Sequence, residues 1–179
     1  MTTERPAFSP LQRLLHWLMA ICILVMLFVG VGMVSTVAPS YLKLTAFHKS
    51  LGIAILVLAV LRLILRLRKG APPLPTDLPE SLKLAAQASH VLFYALLFAM
   101  PLIGWAMVSA GGYPVVVFGG LHLPSILPPD REMHALLWDA HRYLAFAFFG
   151  LILMHIAAAL FHGFIRRDGV LQQMTGTSG

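Results

Sequence analysis

Residues His141–Arg166 read HRYLAFAFFGLILMHIAAALFHGFIR. From Tyr143 to Ile165 this stretch contains no Asp, Glu, Lys or Arg. It is long enough for a helix to cross the hydrocarbon core of a bilayer, which takes about 20 residues. Three histidines interrupt the apolar run, and its charged residues stand only at the two ends. The stretch therefore predicts a membrane-spanning helix that carries polar side chains at three depths.

The composition of the whole chain agrees with that interpretation. Of its 179 residues, 59% are hydrophobic and 11% are charged, and the mean hydropathy is +0.83. Soluble domains carry about 25% charged residues, so a soluble globular protein is excluded. Four crossings would take roughly half of a chain of this length. We expect one membrane domain over residues 1–179.

Three further apolar stretches complete the predicted fold. Ser9 and Pro10 form a helix start, and Gly70 with the prolines after it forms a helix end. The segment 110–130 is apolar and rich in Pro and Gly, and is expected to lie as a lid against the helix ends. The sequence thus predicts an all-α, integral membrane four-helix bundle. Its helices are expected at about 10–34, 44–67, 81–109 and 131–166.

Basic residues stand at the ends of the apolar stretches. The 13 Lys and Arg outnumber the 7 Asp and Glu, giving a net charge of +6. Their position is typical of membrane topology rather than of a nucleic-acid binder. Nine of them fall on the side of the chain termini, and by the positive-inside rule this predicts that both termini are cytoplasmic. The nine are Arg5, Arg13, Arg62, Arg66, Arg68, Lys69, Lys83, Arg166 and Arg167, and the four opposite are Lys43, Lys49, Arg131 and Arg142.

Eight histidines are the main polar exceptions in this chain. A polar side chain inside a membrane span is costly and by default suggests a function. His141 and His155 are 14 residues apart on one helix. This is nearly four full turns, so both lie on one face, about 21 Å apart along the axis. Two histidines on one face at two depths suit two flat macrocycles, one above the other.

Each of these two histidines has a candidate partner at matching depth. His48 lies near the start of the second helix and is predicted to meet His141. His16 lies about two turns into the first helix and is predicted to meet His155. Imidazole suits iron, and helix bundles build cofactor sites from facing helices. The spacing therefore predicts two haems, each held by one histidine pair.

The same 14-residue step leads to residues suited to the level of the predicted haems. From His48 it leads to Arg62, which either pairs with a propionate of the inner haem or snorkels to the membrane surface. It also leads to Gly30 and Gly104, which either give a macrocycle clearance or serve ordinary helix packing.

His90 and His162 remain without partners in this scheme. His162 is seven residues past His155, two turns nearer the cytoplasm, and His90 is expected at a similar depth. Because imidazoles deliver protons near neutral pH, both are candidates for lining a quinone site beside the inner haem. The alternative is that either of them replaces one of the assigned ligands.

Three cations cluster at the end of the bundle opposite the termini: Lys43, Lys49 and Arg142. One interpretation is snorkelling at the membrane interface. The other is that they pair with outer propionates and steer a small anion toward the haem edge. No residue is assigned a covalent catalytic role.

These motifs together resemble the bacterial cytochrome b561 family, small four-helix dihaem proteins that include superoxide oxidase. The resemblance covers nearly the whole chain, and its last motif is the most specific. The motifs are LQRLLHWLMA from Leu11, TAFHKSLG from Thr45, LRLILRLR from Leu61, ASHVLFYALLFAMPLIGW from Ala88, and WDAHRYLAFAFFGLILMHIAAALFHGFIRRDGVLQQM from Trp138.

The resemblance implies that His48 and His141 bind a periplasmic b haem, and that His16 and His155 bind a cytoplasmic one. It also implies electron exchange with ubiquinone. In the superoxide-oxidising members, superoxide gives one electron at the periplasmic side and leaves as dioxygen, while ubiquinone is reduced. The family often has two adjacent histidines where this chain has His162 and Gly163, so the chain departs from that pattern.

Two other functions compete with superoxide oxidation. One is a cytochrome b electron-transfer subunit of a periplasm-facing dehydrogenase or hydrogenase, although no obligate protein partner is evident in the sequence. The other is a haem-free membrane protein whose histidines serve transport. That function would make the matched depths of four histidines a coincidence. The expected partners are membrane lipid, superoxide and ubiquinone, with no nucleic acid.

Overall fold

The computed structural model describes residues 7–176 and is dominated by four long helices. Arg5, counted above among the basic residues, lies outside the described residues. All four helices are long and apolar enough to cross a membrane, and the most apolar 18 residues of each have a mean hydropathy between 2.1 and 2.7. The elements are α1 (Pro10–Val34), α2 (Ser40–Lys69), α3 (Glu80–Ala110), β1 (Val115–Val117), β2 (Leu121–Leu123), α4 (Arg131–Leu160), a π-helical turn (Phe161–Arg166) and α5 (Gln172–Thr175).

The helix ends follow from local chemistry. Ser9 and Gln12 form a capping box, in which the Ser9 hydroxyl accepts from the Gln12 N–H and the Gln12 side chain accepts from the Ser9 N–H. Pro10 occupies the first helical position, where its missing N–H is harmless. At the C-terminal end of α2, Gly70 takes a φ of 70° and ends the helix. α2 begins at Ser40, four residues before the predicted start.

The four helices do not pack equally. α1 lies along α2 and α3 lies along α4, with α2 joining the two pairs through α3. The small buried core consists of Met19, Ile55, Ala59, Leu97, Phe148 and Ile152. Within the described chain, neither α1 nor α2 makes more than slight close backbone contact with α4. Side chains of α1 and α2 meet those of α4 in this core, but the backbones of α1 and α2 lie farther from α4 than the backbone of α3 does.

The outer surface of the bundle is apolar. Phe28, Phe146 and Phe164 are 78%, 70% and 68% exposed, and many other large apolar side chains share this exposure. Water would disfavour such a surface, whereas lipid tails would cover it without penalty. The exposed apolar belt fits a protein surrounded by lipid.

The start of α1, the α2–α3 loop and the segment that follows α4 lie at one end of the bundle, called here the terminal end. Gln12 Nε2 donates to the Gly70 carbonyl at 2.9 Å, and Trp17 Nε1 donates to the Met174 carbonyl at 3.2 Å. Across the same end, Arg166 forms an ion pair with Asp77 at 2.6 Å. These contacts draw α1, the α2–α3 loop and the C-terminal segment together.

The opposite end, called here the hairpin end, carries a feature that the all-α prediction missed. Segment 110–130, expected as a lid against the helix ends, contains an antiparallel hairpin in which Val115 pairs with Leu123. Val117 is only 1% exposed, and the Ser50 hydroxyl accepts from the Phe118 N–H at 2.8 Å. The hairpin therefore packs onto α2, and the fold is mostly rather than entirely helical.

Candidate functional site

Two pairs of histidines lie inside the bundle at different depths. The ring centres of His48 and His141 are 6.1 Å apart, and those of His16 and His155 are 6.3 Å apart. Each pair joins α4 to α1 or α2, the two helices whose backbones lie farther from α4. The structure thus brings together both pairs that the 14-residue spacing predicted.

Glycines face the pair nearer the hairpin end. A Cβ at Gly104 would lie 3.4 Å from Cε1 of His141, and a Cβ at Gly30 would lie 3.8 Å from Cε1 of His48. One glycine from α1 and one from α3 therefore approach the two rings from different helices. Side chains at these positions would extend into the space around the pair.

His90 and Arg62 lie close to the pair nearer the terminal end. The ring centres of His90 and His155 are 6.2 Å apart, which is no greater than the separation of His16 and His155. However, His90 stands on α3, which packs closely along α4, so its proximity follows from ordinary helix contact. The Arg62 guanidinium lies near enough to interact electrostatically with His16, His155 and His90.

His162 lies in different surroundings from His90. Its Nδ1 is 2.6 Å from Oδ2 of Asp168, beyond the π-helical turn. His90 instead directs Nδ1 to the carbonyl of Ala86, 2.7 Å away. Asp168 was not among the sequence-predicted site residues. Its contact depends on how the chain turns after Arg166, which periodicity does not show.

The cations at the hairpin end are held differently from one another. Lys43 is exposed, whereas Lys49 Nζ donates to the Pro114 carbonyl at 3.5 Å. Arg142 forms an ion pair with Asp139 at 3.2 Å and stacks on the Tyr143 ring, 4.9 Å from its centre. Asp139 thus offsets part of the positive charge that the sequence analysis assigned to this end.

The whole sequence matches one family over almost its entire length. The model of the prokaryotic cytochrome b561 family matches residues 7–177. The chain belongs to the prokaryotic cytochrome b561 family.

Three curated relatives agree with this assignment. "Cytochrome b561 homolog 2" of Escherichia coli strain K12 is 35% identical, over 99% of this chain and 94% of its own. "Cytochrome b561 homolog 1" of the same organism is 30% identical, over 93% and 96%. "Probable superoxide oxidase CybB" of Yersinia pestis is 31% identical, over 93% and 94%. Together with the four apolar helices, the family makes this a multi-pass membrane protein of electron transport.

Membership of the cytochrome b561 family implies b-type haem, and the histidine pairs fit it. An imidazole nitrogen lies about 2 Å from the metal that it binds. The ring centre is about 1 Å farther away, so two rings on opposite sides of one iron have centres about 6 Å apart. Both observed pairs have that separation.

Two further observations fit haem: the histidine rings have polar atoms without partners, and few protein side chains surround each possible metal position. Within residues 7–176, the buried Nδ1 atoms of His16 and His48 have no hydrogen-bond partner. That of His141, which lies toward the Met100 carbonyl, makes no bond of ordinary geometry. A buried nitrogen without a hydrogen-bond partner destabilises the folded protein by roughly 1–3 kcal/mol. Each of these rings therefore has nitrogen capacity that a bound metal could use. No three His, Cys, Asp or Glu side chains of the described chain cluster around a metal position, so a macrocycle rather than the protein would supply the remaining ligands.

Proposed function

We propose that this cytochrome b561 binds two b haems and transfers electrons from superoxide to ubiquinone. The observation that carries the proposal is the arrangement of two histidine pairs at two depths, each formed between α4 and a helix whose backbone does not pack closely on it. Two such sites suit a path for electrons across a membrane rather than a single binding event. The name of the Yersinia relative, a probable superoxide oxidase, favours superoxide as the donor.

In this proposal His48 and His141 are the axial ligands of the outer haem, and His16 and His155 those of the inner haem. Haem, when bound, supplies one-electron redox chemistry. The protein holds the four imidazoles in place and excludes water with its apolar core. Arg62 supplies a positive charge at the inner level, where it would neutralise a propionate.

The orientation follows from the distribution of basic residues. Nine stand on the side of the terminal end and four on the side of the hairpin end. By the positive-inside rule, the terminal end faces the cytoplasm and the hairpin end faces the periplasm of a bacterial inner membrane. Superoxide would then react at the hairpin end, and ubiquinone would be reduced near His90 and His162.

One experiment tests the central proposal. The purified protein should show b-haem bands in a reduced-minus-oxidised absorption spectrum. Rapid mixing of the oxidised protein with superoxide should then reduce the haem quickly, and ubiquinone-1 should reoxidise it. Absence of b-haem bands would refute the haem sites. Bands without a reaction with superoxide, together with co-purification of a dehydrogenase, would show an electron-transfer subunit instead.

The cations at the hairpin end give a graded prediction. The double variant Lys49→Gln, Arg142→Gln is expected to slow haem reduction by superoxide about tenfold at low salt, because clefts of one charge raise the association rate of oppositely charged substrates by 10-fold or more. Removing Arg142 also leaves the negative charge of Asp139 without its ion-pair partner, and that charge then repels the superoxide anion. The measurement is the second-order rate constant over a range of ionic strength.

Two controls separate steering from folding. Lys49→Arg keeps the charge and should keep the rate. Lys69→Gln removes a charge at the terminal end, next to the end of α2, and should leave the rate unchanged. An unchanged rate in the double variant would show that these cations do no more than anchor the hairpin end at the membrane surface.

A further inference from the structure

A polar cluster closes the terminal end of α4. His162 Nδ1 lies 2.6 Å from Oδ2 of Asp168, and the two side chains are only 17% and 9% exposed. The Nε of Arg166 lies 2.8 Å from the same oxygen, an ion pair whose N–H is not aimed along a hydrogen bond. Arg166 also reaches Asp77, whose side chain is 76% exposed. One buried carboxylate thus connects an imidazole and a guanidinium.

The protonation of this cluster follows from its contacts. Desolvation by itself raises the pKa of Asp168, but the hydrogen bond with His162, the Val170 N–H and the charge of Arg166 together hold that pKa below its ordinary value. The carboxylate therefore stays ionised at neutral pH and can only accept hydrogen bonds. His162 must then carry a proton on Nδ1 and donate it to Asp168. Its Nε2 is the nitrogen left to exchange a proton with a ligand.

The backbone around Asp168 is shaped to bring its carboxylate back onto His162. The helix changes to a π-helical turn at Phe161, and Arg167 then takes a left-handed φ of 52°. A non-glycine residue in this conformation is strained, and such strain concentrates at functional sites. Gly169 follows with a φ of 83°, so the chain reverses at once.

Gly163 completes this arrangement. A Cβ at Gly163 would lie 2.5 Å from Cδ2 of Leu171, so a side chain there would require the Leu171 side chain to turn away. Gly163 therefore lets the returning segment pack against the π-helical turn, and that segment brings the Asp168 carboxylate to His162.

We propose that Asp168 is a positioning residue that orients His162 to deliver protons to ubiquinone at the cytoplasmic end of the bundle. This inference rests on the proposed function, because ubiquinone is its substrate. Asp168 fixes the orientation of the ring through Nδ1 and leaves Nε2 to face the ligand, as carboxylates do for catalytic histidines. Arg166, held in turn by Asp77, keeps the carboxylate in place.

The proton and electron balance is complete. Ubiquinone becomes ubiquinol by taking two electrons and two protons. The electrons come from two superoxide anions, which leave as two dioxygen molecules. For each proton, the Nε2–H bond of protonated His162 breaks and an O–H bond forms at a quinone carbonyl oxygen. The neutral ring keeps the proton on Nδ1, which stays hydrogen-bonded to Asp168. Cytoplasmic water returns a proton to Nε2 before the second transfer.

The experiment isolates the quinone reaction from the superoxide reaction. The haem-loaded full chain is reduced with a stoichiometric amount of dithionite and mixed rapidly with ubiquinone-1, and reoxidation is followed by haem absorbance. Asp168→Asn keeps the shape of the side chain but removes its charge. We expect it to slow reoxidation tenfold or more, since positioned acid–base groups contribute about 10²–10⁴-fold. Haem content and the rate of reduction by superoxide should not change.

Matched variants distinguish proton delivery from a merely structural role. Glu80→Gln removes an exposed carboxylate at the same end, one that pairs with Lys83 and not with this cluster, and should reoxidise at the wild-type rate. Asp168→Ala should be slow but regain speed when formate is added, because this small carboxylate can occupy the vacated space and accept the hydrogen bond from His162 Nδ1. Asp168→Glu retains the charge and should recover part of the rate.

Three results of these measurements would overturn the proposed role of Asp168. If Asp168→Asn reoxidises at the wild-type rate, Asp168 has no part in the quinone reaction and the inference is wrong. If Asp168→Ala is slow and formate has no effect, Asp168 only fastens the C-terminal segment, and the inference is again wrong. If ubiquinone-1 does not reoxidise the reduced wild-type protein, the proposed function itself fails, and the role of Asp168 falls with it.

Discussion

Replacing His155 with Ala is expected to reduce the haem content from two per chain to one. His155 and His16 form the pair nearer the terminal end, and His48 and His141 form a separate pair on the other half of α4. Loss of one imidazole leaves an iron without an axial ligand inside an apolar bundle, while the outer pair keeps both of its rings. The measurement is extracted haem per mole of purified protein, together with the reduced-minus-oxidised spectrum.

The control for that variant is a histidine outside the bundle. His122 is an exposed residue of β2, so His122→Ala should keep both haems. Retention of two haems by His155→Ala would refute its assignment as a ligand. If His155→Ala fails to fold and loses both haems, His155→Met is the second variant to measure. Its side chain has a similar volume and supplies a sulfur ligand in place of the imidazole, so the protein should fold and bind a haem at this site with an altered spectrum.

The same measurement separates His16 from His90, which are equally close to His155. His16 faces His155 from α1, whose backbone lies farther from α4, whereas His90 reaches His155 from the closely packed α3. We therefore expect His16→Ala to lose the same haem as His155→Ala, and His90→Ala to keep both. The opposite result would exchange their roles and make His90 the ligand.

The helices and the histidine pairs could be predicted because both depend on regular spacing. A straight apolar helix carries residues 14 positions apart to the same face whatever surrounds it, so His141 and His155 could be placed without knowing the other helices. The start of α1 could be predicted for a similar reason, since Ser9, Pro10 and Gln12 make a purely local cap. Membrane spans also need little tertiary information, because lipid covers their outer faces.

The hairpin and the Asp168 contact could not be predicted in the same way. The hairpin has strands of three residues, too short for periodicity, although Val115–Val117 followed by Gly119 and Gly120 is a recognisable strand-and-turn signal. Its position depends on the hydroxyl of Ser50, 68 residues away from Phe118 in sequence. The Asp168 contact depends on a π-helical turn and a left-handed residue, and neither has a reliable sequence signal.

Replacing Gly104 with Leu is expected to remove the other haem, the one assigned to His48 and His141. A Cβ at this position would already lie 3.4 Å from Cε1 and 3.7 Å from Nδ1 of His141. The remaining carbons of Leu would extend into the space beside that ring. Since packed interiors yield little to added volume, either the His141 ring turns away or the Leu side chain occupies the space that a macrocycle needs. We expect one haem per chain, with the spectrum of the inner haem retained.

Gly150→Leu is the matched control, because it places the same side chain on α4 where a Cβ would meet nothing within 4 Å. It should keep both haems, since its side chain would face lipid. Two haems in Gly104→Leu would show that this glycine serves helix packing rather than cofactor clearance. The double variant Gly104→Leu, His155→Ala makes the sharpest test. If the two sites are independent, it should bind no haem while each single variant binds one, and any other stoichiometry would mean that one haem supports the binding of the other.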